Sequence, residues 1–404
     1  MDLREKLKYY YPVSVKQKPV DVIDSSVKSL ADELGGIVIG SAPFEVIKIF
    51  HSFPINSIVY NLHSPDTNCF HIPLLSRGEF PREMKPDSLL FFDLETTGLA
   101  GGTGTYPFLL SFGFLDERTI KVIQYFLPDF GREVITFADL NNYIENRSIL
   151  VSYNGKSFDY PLLRNRFVLN RVRDPFHSFQ HLDLLHFVRR LWKQRLKNCS
   201  LVNIEQEIFY FHRWQDIEAA FIPHVYFEFL RDGKTCNMKR VINHNLQDIL
   251  TLVRLLFHIH FLENHIPETE EIQVLGRFAV ENSDLDKLDL IFERMDKINL
   301  SPSKNLLADY SLLLKRKGEW ENAIRLWEEL LNSGEKTVFA CEELAKYYEH
   351  RERDYIQAKN YTERALHYMD MLEEIDKLAG IKETRQSFQY RLERITHKQR
   401  SQGE

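Results

Sequence analysis

Phe91-Phe92-Asp93-Leu94-Glu95-Thr96-Thr97-Gly98 follows Leu89 and Leu90, so two carboxylates stand two residues apart at the end of an apolar run. Side chains two apart in a strand share a face; Asp93 and Glu95 therefore project together while Phe92 and Leu94 point the other way. An exposed edge strand with a solvated acidic face would carry polar residues at Phe91 and Leu94 as well. Two carboxylates emerging from an apolar strand are costly unless positive charge sits between them, which points to a divalent cation. Oxygen ligands with no Cys or His cluster beside them favour Mg2+ or Mn2+ over Zn2+.

Outward from this strand the pattern is α/β from residue 86 to residue 265. Apolar runs at 107–114 and 120–127 read as two further strands of a meander, followed by a helix over 133–146 and a fourth strand at 148–154. The stretch from there to His265 reads as mostly helical. Residues 1–85 are irregular, with a helix near 25–34 and short strands at Gly35–Gly40 and Ser57–Leu62, and no role is assigned to them. The segment Pro81–Pro86 reads as a connector.

From residue 266 to residue 404 the chain is helical and repeats itself. Asp284-Leu285, Glu319-Trp320 and Asp354-Tyr355 recur every 35 residues, with Leu288, Ala323 and Ala358, then Met295, Leu330 and Ala365, following in phase. Phe292 and Trp327 keep the register, and Thr362 breaks it. An acidic-aromatic turn followed by a second helix resembles tetratricopeptide repeats with one extra residue per period.

The D-x-E-T-T-G strand resembles the first motif of the DEDD, or DnaQ-like, 3′–5′ exonucleases, whose domain is ribonuclease H-like. Tyr153-Asn154-Gly155-Lys156-Ser157-Phe158-Asp159 resembles their second motif and His244-Asn245-Leu246-Gln247-Asp248 their third, so the four carboxylates Asp93, Glu95, Asp159 and Asp248 occur in order. The resemblance implies a two-metal site for Mg2+ or Mn2+ ligated by those four, with His244 as general base. Histidine-type members place the His five residues before the last Asp and tyrosine-type members a Tyr four before it; here a His stands at the four-residue position. Both a direct proton-accepting role and an orienting role are open to it. Thr96, Thr97, Gly98, Asn154 and Phe158 are the expected substrate contacts, the turn offering backbone N–H groups to a terminal nucleotide.

Gly98, Gly101, Gly102 and Gly104 fall within seven residues, but no Lys-Ser/Thr pair opens a helix after them, so a phosphate-binding P-loop is excluded. Joined to the first motif, this run resembles the YprB-type branch of the superfamily, which includes a bacterial mitomycin-repair exonuclease. Ile222–Gly233 and the repeat tail agree. The branch implies degradation of DNA from a 3′ end in repair, with the tail docking a protein partner such as a helicase. An exoribonuclease acting on RNA and a catalytically idle nucleic-acid-binding adaptor are the alternatives, the intact carboxylate set arguing against the second.

Charge sharpens this picture. The formal net charge of −6 lies wholly in residues 266–404, with 28 acidic against 22 basic residues, while 30 of each sign balance in residues 1–265. Between Tyr160 and Ser200, nine basic residues oppose two acidic ones, a local +7 suited to a polyphosphate strand leaving the metal site. Phe167, Phe176, Phe179 and Trp192 lie among them, open to reading as stacking surfaces or as core. Four scattered cysteines, a mixed-charge N-terminus and no apolar run long enough to span a bilayer suggest a cytoplasmic protein with no membrane partner.

Overall fold

An apolar run over Pro107–Asp116, buried at every residue but the last, lies inside a seven-stranded mixed sheet in the computed structural model of the chain. The structure describes residues 23–59, 69–72, 79–81, 83–98, 104–267, 269, 271–374 and 381–403. The chain divides into two compact units, Met1–His265 and Ile266–Glu404.

In the first unit, helix α1 (Ile23–Leu34) precedes strands β1 (Ile37–Ile39) and β2 (Val46–Pro54) and a short helix, α2 (Ile55–Ile58). Then come β3 (Leu89–Thr96), β4 (Pro107–Asp116), β5 (Thr119–Phe126), α3 (Glu133–Leu140), β6 (Ile149–Ser152), α4 (Asp159–Leu169) and β7 (Gln180–Asp183). Helices α5 (Leu184–Trp192), α6 (Leu201–Glu207), α7 (Ile222–Asp232) and α8 (Cys236–Asn264) complete it. The sheet order is β1-β2-β5-β4-β3-β6-β7. The β3-β6 and β6-β7 pairs are parallel and the rest antiparallel, so β3 to β5 form the expected meander.

Four expectations need correction. Ser57 and Ile58 lie in α2 and not in a strand; Pro54 precedes that helix and Ile55, its first residue, is buried, while residues 60–62 fall outside the described residues. β2 was not foreseen, and it pairs with β5 along its length, which brings the N-terminal zone into the same sheet. The supposedly helical stretch holds β7 at the sheet's edge. The helix expected to reach residue 146 ends at Leu140, followed by a 3-10 turn over Asn141–Tyr143.

Strand parity decides what the sheet presents. Phe92, Leu94, Phe108, Leu110 and Phe112 join Val27 and Ala31 of α1, Phe137 of α3, Leu163 of α4 and Tyr226 of α7 in one buried core. The opposite face, carrying Phe91, Ser111 and Gly113, receives α8. A Cβ at Gly113 would stand 2.6 Å from Ile249 Cγ2, so glycine there lets the long helix settle against the sheet. Asp93 shares that face, which is why the first and third motifs meet.

The second unit holds α9 (Glu271–Glu281), α10 (Leu285–Lys297), α11 (Lys304–Lys317), α12 (Trp320–Asn332), α13 (Thr337–Tyr347), α14 (Tyr355–Glu374) and α15 (Ile381–Gly403). Helices α9 and α10, α11 and α12, and α13 and α14 pack as successive pairs. Leu288, Ala323, Ala358, Met295, Leu330, Ala365 and Trp327 are all buried, so the repeating positions are the ones that pack. Thr362 is buried too, its hydroxyl donating to the Ala358 carbonyl at 2.7 Å. Glu349 is gripped by Arg391, Arg394 and Lys398 of α15, and the contacts from Arg394 and Lys398 overcome burial to hold its carboxyl down at about 2.

Candidate active site

Asp93 and Glu95 project from the end of β3 towards α8, where His244 and Asp248, one helical turn apart, share a face. Asn245 ties the two elements: its Nδ2 donates to Asp93 Oδ2 at 2.7 Å. Its Oδ1 accepts from Gln124 Nε2 at 3.0 Å and from the Ser111 hydroxyl. Gln124 Nε2 also reaches Ser111 Oγ and the Ile242 carbonyl, both at 3.1 Å. These buried amides are satisfied inside the sheet-helix interface, which fixes the rotamer that aims Nδ2 at Asp93.

The second motif is held by a residue that no motif contains. Asn154 follows β6 in a left-handed conformation, φ +63°. Its N–H donates to Asp183 Oδ1 at 2.7 Å, and Lys156 N–H donates to Asp183 Oδ2 at 3.2 Å. Asp183 also caps α5 by accepting from Leu185 N–H at 3.1 Å. The turn is tight: a Cβ at Gly155 would stand 2.5 Å from Ser152 Oγ and 3.2 Å from Asp159 Oδ2. Asp159 then opens α4 as expected. Asp183→Ala would strip three backbone donors of one buried acceptor; we expect it to destabilise the protein by about 2–4 kcal/mol, read by denaturant unfolding, and to loosen Asp159.

Glu95, His244 and Asp248 each offer one ligand atom, and those atoms lie within 4.8 Å of one another. The surroundings leave the carboxylates short of positive charge. Asp93 and Glu95 have proton affinities pushed well above the usual carboxylate range, by burial first and then by Asp248 and Asp159. Burial, followed by Asp183 and Asp248, pushes the Asp159 carboxyl up to about 7. Hard oxygen donors around one imidazole, carrying an excess of negative charge, fit a divalent cation.

One cation is built in, and sequence reasoning missed it. Arg213, between α6 and α7, buries its side chain to 6% exposure. It donates through Nε and Nη2 to Glu205 at 2.6 and 2.7 Å and through Nη2 to Asp248 Oδ1 at 2.6 Å. Asp248 and Glu205 hold its guanidinium charged against the burial. Asp216 Oδ1 lies 2.8 Å from His244 Nδ1, closer than Arg213 Nη1 at 3.3 Å, so Nδ1–H donates to Asp216. Nε2 lies 3.4 Å from Asp248 Oδ2, so the ring stands between two carboxylates with Nε2 turned to the site. The three-residue separation of Arg213 and Asp216 resembles any helix-surface pair in sequence, and nothing local marked them.

His244 and Asp248 line a cleft of about 670 Å³ shared with Tyr153, Asn154, Arg189, Lys193 and Lys197. The basic stretch is thus divided. Arg166 does not reach that cleft's lining: it pairs with buried Glu133 and lies 5.2 Å over the Tyr106 ring. Phe167, Phe176 and Trp192 are core, each 1% exposed, and Phe179 packs against it. Of the expected substrate contacts, Phe158 is 54% exposed. Thr97 spends its N–H on the Tyr106 carbonyl and its hydroxyl on the Tyr106 N–H, both at 2.9 Å, so its amide is not a spare donor. Thr96 donates its hydroxyl to the Gly98 carbonyl at 2.9 Å. Residues 99–103 of the glycine run lie outside the described residues.

Residues 90–260 match the RNase_H_2 family, of the RNase_H superfamily. YprB of Bacillus subtilis (strain 168), an uncharacterized protein, is 35% identical over 287 residues, which is 69% of each chain. Among solved structures, the family B DNA polymerase from the hyperthermophilic archaeon Pyrobaculum calidifontis has 14% identity and a TM-score of 0.33, covering 57% of this chain and 29% of the polymerase. This protein thus spans less than a third of the polymerase, and so low a score bears on neither fold nor activity.

Proposed function

The chain belongs to the family of YprB and carries an RNase H superfamily domain at residues 90–260, and from that premise we propose that it is a 3′–5′ exonuclease of the DEDD type acting on DNA. The observation that carries this reading is the meeting of Asp93 and Glu95 on β3 with His244 and Asp248 on α8, beside Asp159 at the start of α4. Two divalent cations, Mg2+ or Mn2+, held by Asp93, Glu95, Asp159 and Asp248, would when bound supply the charge that phosphodiester hydrolysis demands.

The chain's own residues supply the rest. His244, oriented by Asp216 through Nδ1, turns Nε2 to the carboxylates and takes the proton of the attacking water. The four-residue spacing suits this role because α8 is helical through the motif. Arg213 holds one oxygen of Asp248 and leaves the other facing His244. Arg189, Lys193 and Lys197 line the cleft as a track for phosphates. We expect His244→Gln to lower kcat by about 10²- to 10⁴-fold with a small change in KM, and Asp216→Asn to give a smaller loss in the same direction.

The helical unit is proposed as a tetratricopeptide-like docking domain for a protein partner in DNA repair, a helicase being the partner type favoured. Its buried in-phase residues and its acidic balance support this. Among the described residues no helix is long and apolar enough to cross a membrane. Four cysteines set far apart in the sequence, with no C-x-x-C pair, support the cytoplasm as the protein's place. Digestion of single-stranded DNA, duplex DNA and RNA in parallel, with Mn2+ and with EDTA, tests the substrate class. DNA should be degraded with metal and spared in EDTA; RNA degraded faster than DNA would overturn the DNA assignment.

A further inference from the structure

Trp214 is 88% exposed, in a segment where Tyr210 is 78% and Phe221 57% exposed. Scattered exposed aromatics are ordinary on a protein surface; what sets Trp214 apart is how firmly its backbone is held. Arg213, its neighbour at about 3.8 Å of backbone, reaches inward to grip Glu205 and Asp248. Asp216, two residues on, holds His244. Between them Gln215 takes a left-handed turn, φ +50°, and its carbonyl and that of Asp216 accept from Arg240 Nε and Nη2 at 3.1 and 2.8 Å.

Three anchors and a strained turn therefore present one indole to solvent. Such pre-organisation serves binding, because little conformational freedom is left to lose when a ligand arrives. The same connection runs on to Ala219, which lines the cleft with Arg189, Lys193 and Lys197. An aromatic side chain five residues along the chain from a cleft lined by cations supplies both parts of what single-stranded nucleic acid recognises, bases stacking while phosphates are neutralised.

We propose that Trp214 is a stacking platform for an unpaired base of the strand whose 3′ end enters the carboxylate site. This rests on the nucleic-acid reading of that site and adds a substrate class to it: strands with unpaired 3′ ends. Bases inside a duplex have no free face to offer the indole, so a recessed 3′ end gains nothing from Trp214.

The full-length protein, with Ca2+ present to hold cleavage off, is titrated with a single-stranded oligodeoxynucleotide while tryptophan emission is followed. Trp192 and Trp327 are buried at 1% and 0% exposure and Trp320 is partly so, which makes Trp214 the accessible reporter. The strand should quench the emission. Trp214→Ala should weaken binding about 10-fold, and Trp214→Phe should restore most of it, since a phenyl ring still stacks. An oligonucleotide made abasic near its 3′ end should weaken binding to the native protein by a similar factor and leave Trp214→Ala unchanged. Equal affinities for the native protein and Trp214→Ala, or an abasic effect of equal size in both, would overturn the stacking role alone. Absence of any oligonucleotide binding by the native protein would overturn it together with the nuclease reading.

Discussion

Asp93→Asn should abolish nucleic-acid cleavage and yet make the metal-free protein more stable. Both effects have one origin. Asp93 sits among Glu95, Asp159 and Asp248 in a site that burial and like charge make hostile to an ionised carboxylate. On the proposed two-cation reading that negative charge would hold the metals, and removing it would forfeit several kcal/mol of Lewis-acid stabilisation, an expected loss of about 10³-fold or more in rate. Without cations, the amide keeps an oxygen for the Asn245 Nδ2 contact and drops the repulsion, a gain of about 1 kcal/mol. Turnover of labelled DNA and thermal melting in EDTA check the two halves together; a variant that is inactive and also destabilised would mean that Asp93 is structural.

The second large effect is a pH dependence that metal cancels. Asp159 is held up to about 7, first by burial and then by Asp183 and Asp248, while in the unfolded chain its carboxyl ionises near the usual value of about 4. Between those two values the unfolded state binds fewer protons than the folded state, so stability falls as pH rises. Asp93 and Glu95, also raised, extend the loss in the same direction. In EDTA the melting temperature should therefore climb on going from about pH 8 to about pH 6, with Asp159 alone contributing about 4 kcal/mol across its full window from about pH 7 to about pH 4. Mg2+ or Mn2+ should raise the melting temperature most at the alkaline end and flatten the profile. A profile that metal leaves unchanged would show that these carboxylates hold no cation.

How far the sequence led depended on whether a signal was local. Two-residue spacing put Asp93 and Glu95 on one strand face, and four-residue spacing put His244 and Asp248 on one helix face; both faces hold in the fold. Asp159 likewise opens a helix after a strand and turn. The residues that position these groups were invisible because their partners are distant in the chain. Asp183 acts on Asn154 across 29 residues and Arg213 on Asp248 across 35; Asp183 counted only as a charge opposing the basic stretch, and Arg213 was not singled out at all. β7 has four residues, too few to display alternation, and sits where arginines and aromatics dominate the pattern. The basic stretch misled in part because net charge does not distinguish Arg166, consumed by Glu133, from Lys193 and Lys197 at the cleft. Its aromatics proved to be core, where large rings usually go.

The repeat tail was legible in its period. Its second helices begin at Leu285, Trp320 and Tyr355, at the same 35-residue step read from the sequence. The buried clasp on Glu349 by three cations of α15 was not legible, since those partners lie beyond the last visible repeat.

Polarity and product chemistry test the exonuclease proposal most directly. A single-stranded oligodeoxynucleotide carrying a 5′ label is incubated with the protein and Mn2+, beside a closed circular strand of the same composition. Expected are a ladder of labelled fragments that shorten stepwise from the 3′ end, release of nucleoside 5′-monophosphates, and an intact circle. Immediate release of the label as a mononucleotide, or cutting of the circle, would contradict a 3′–5′ exonuclease.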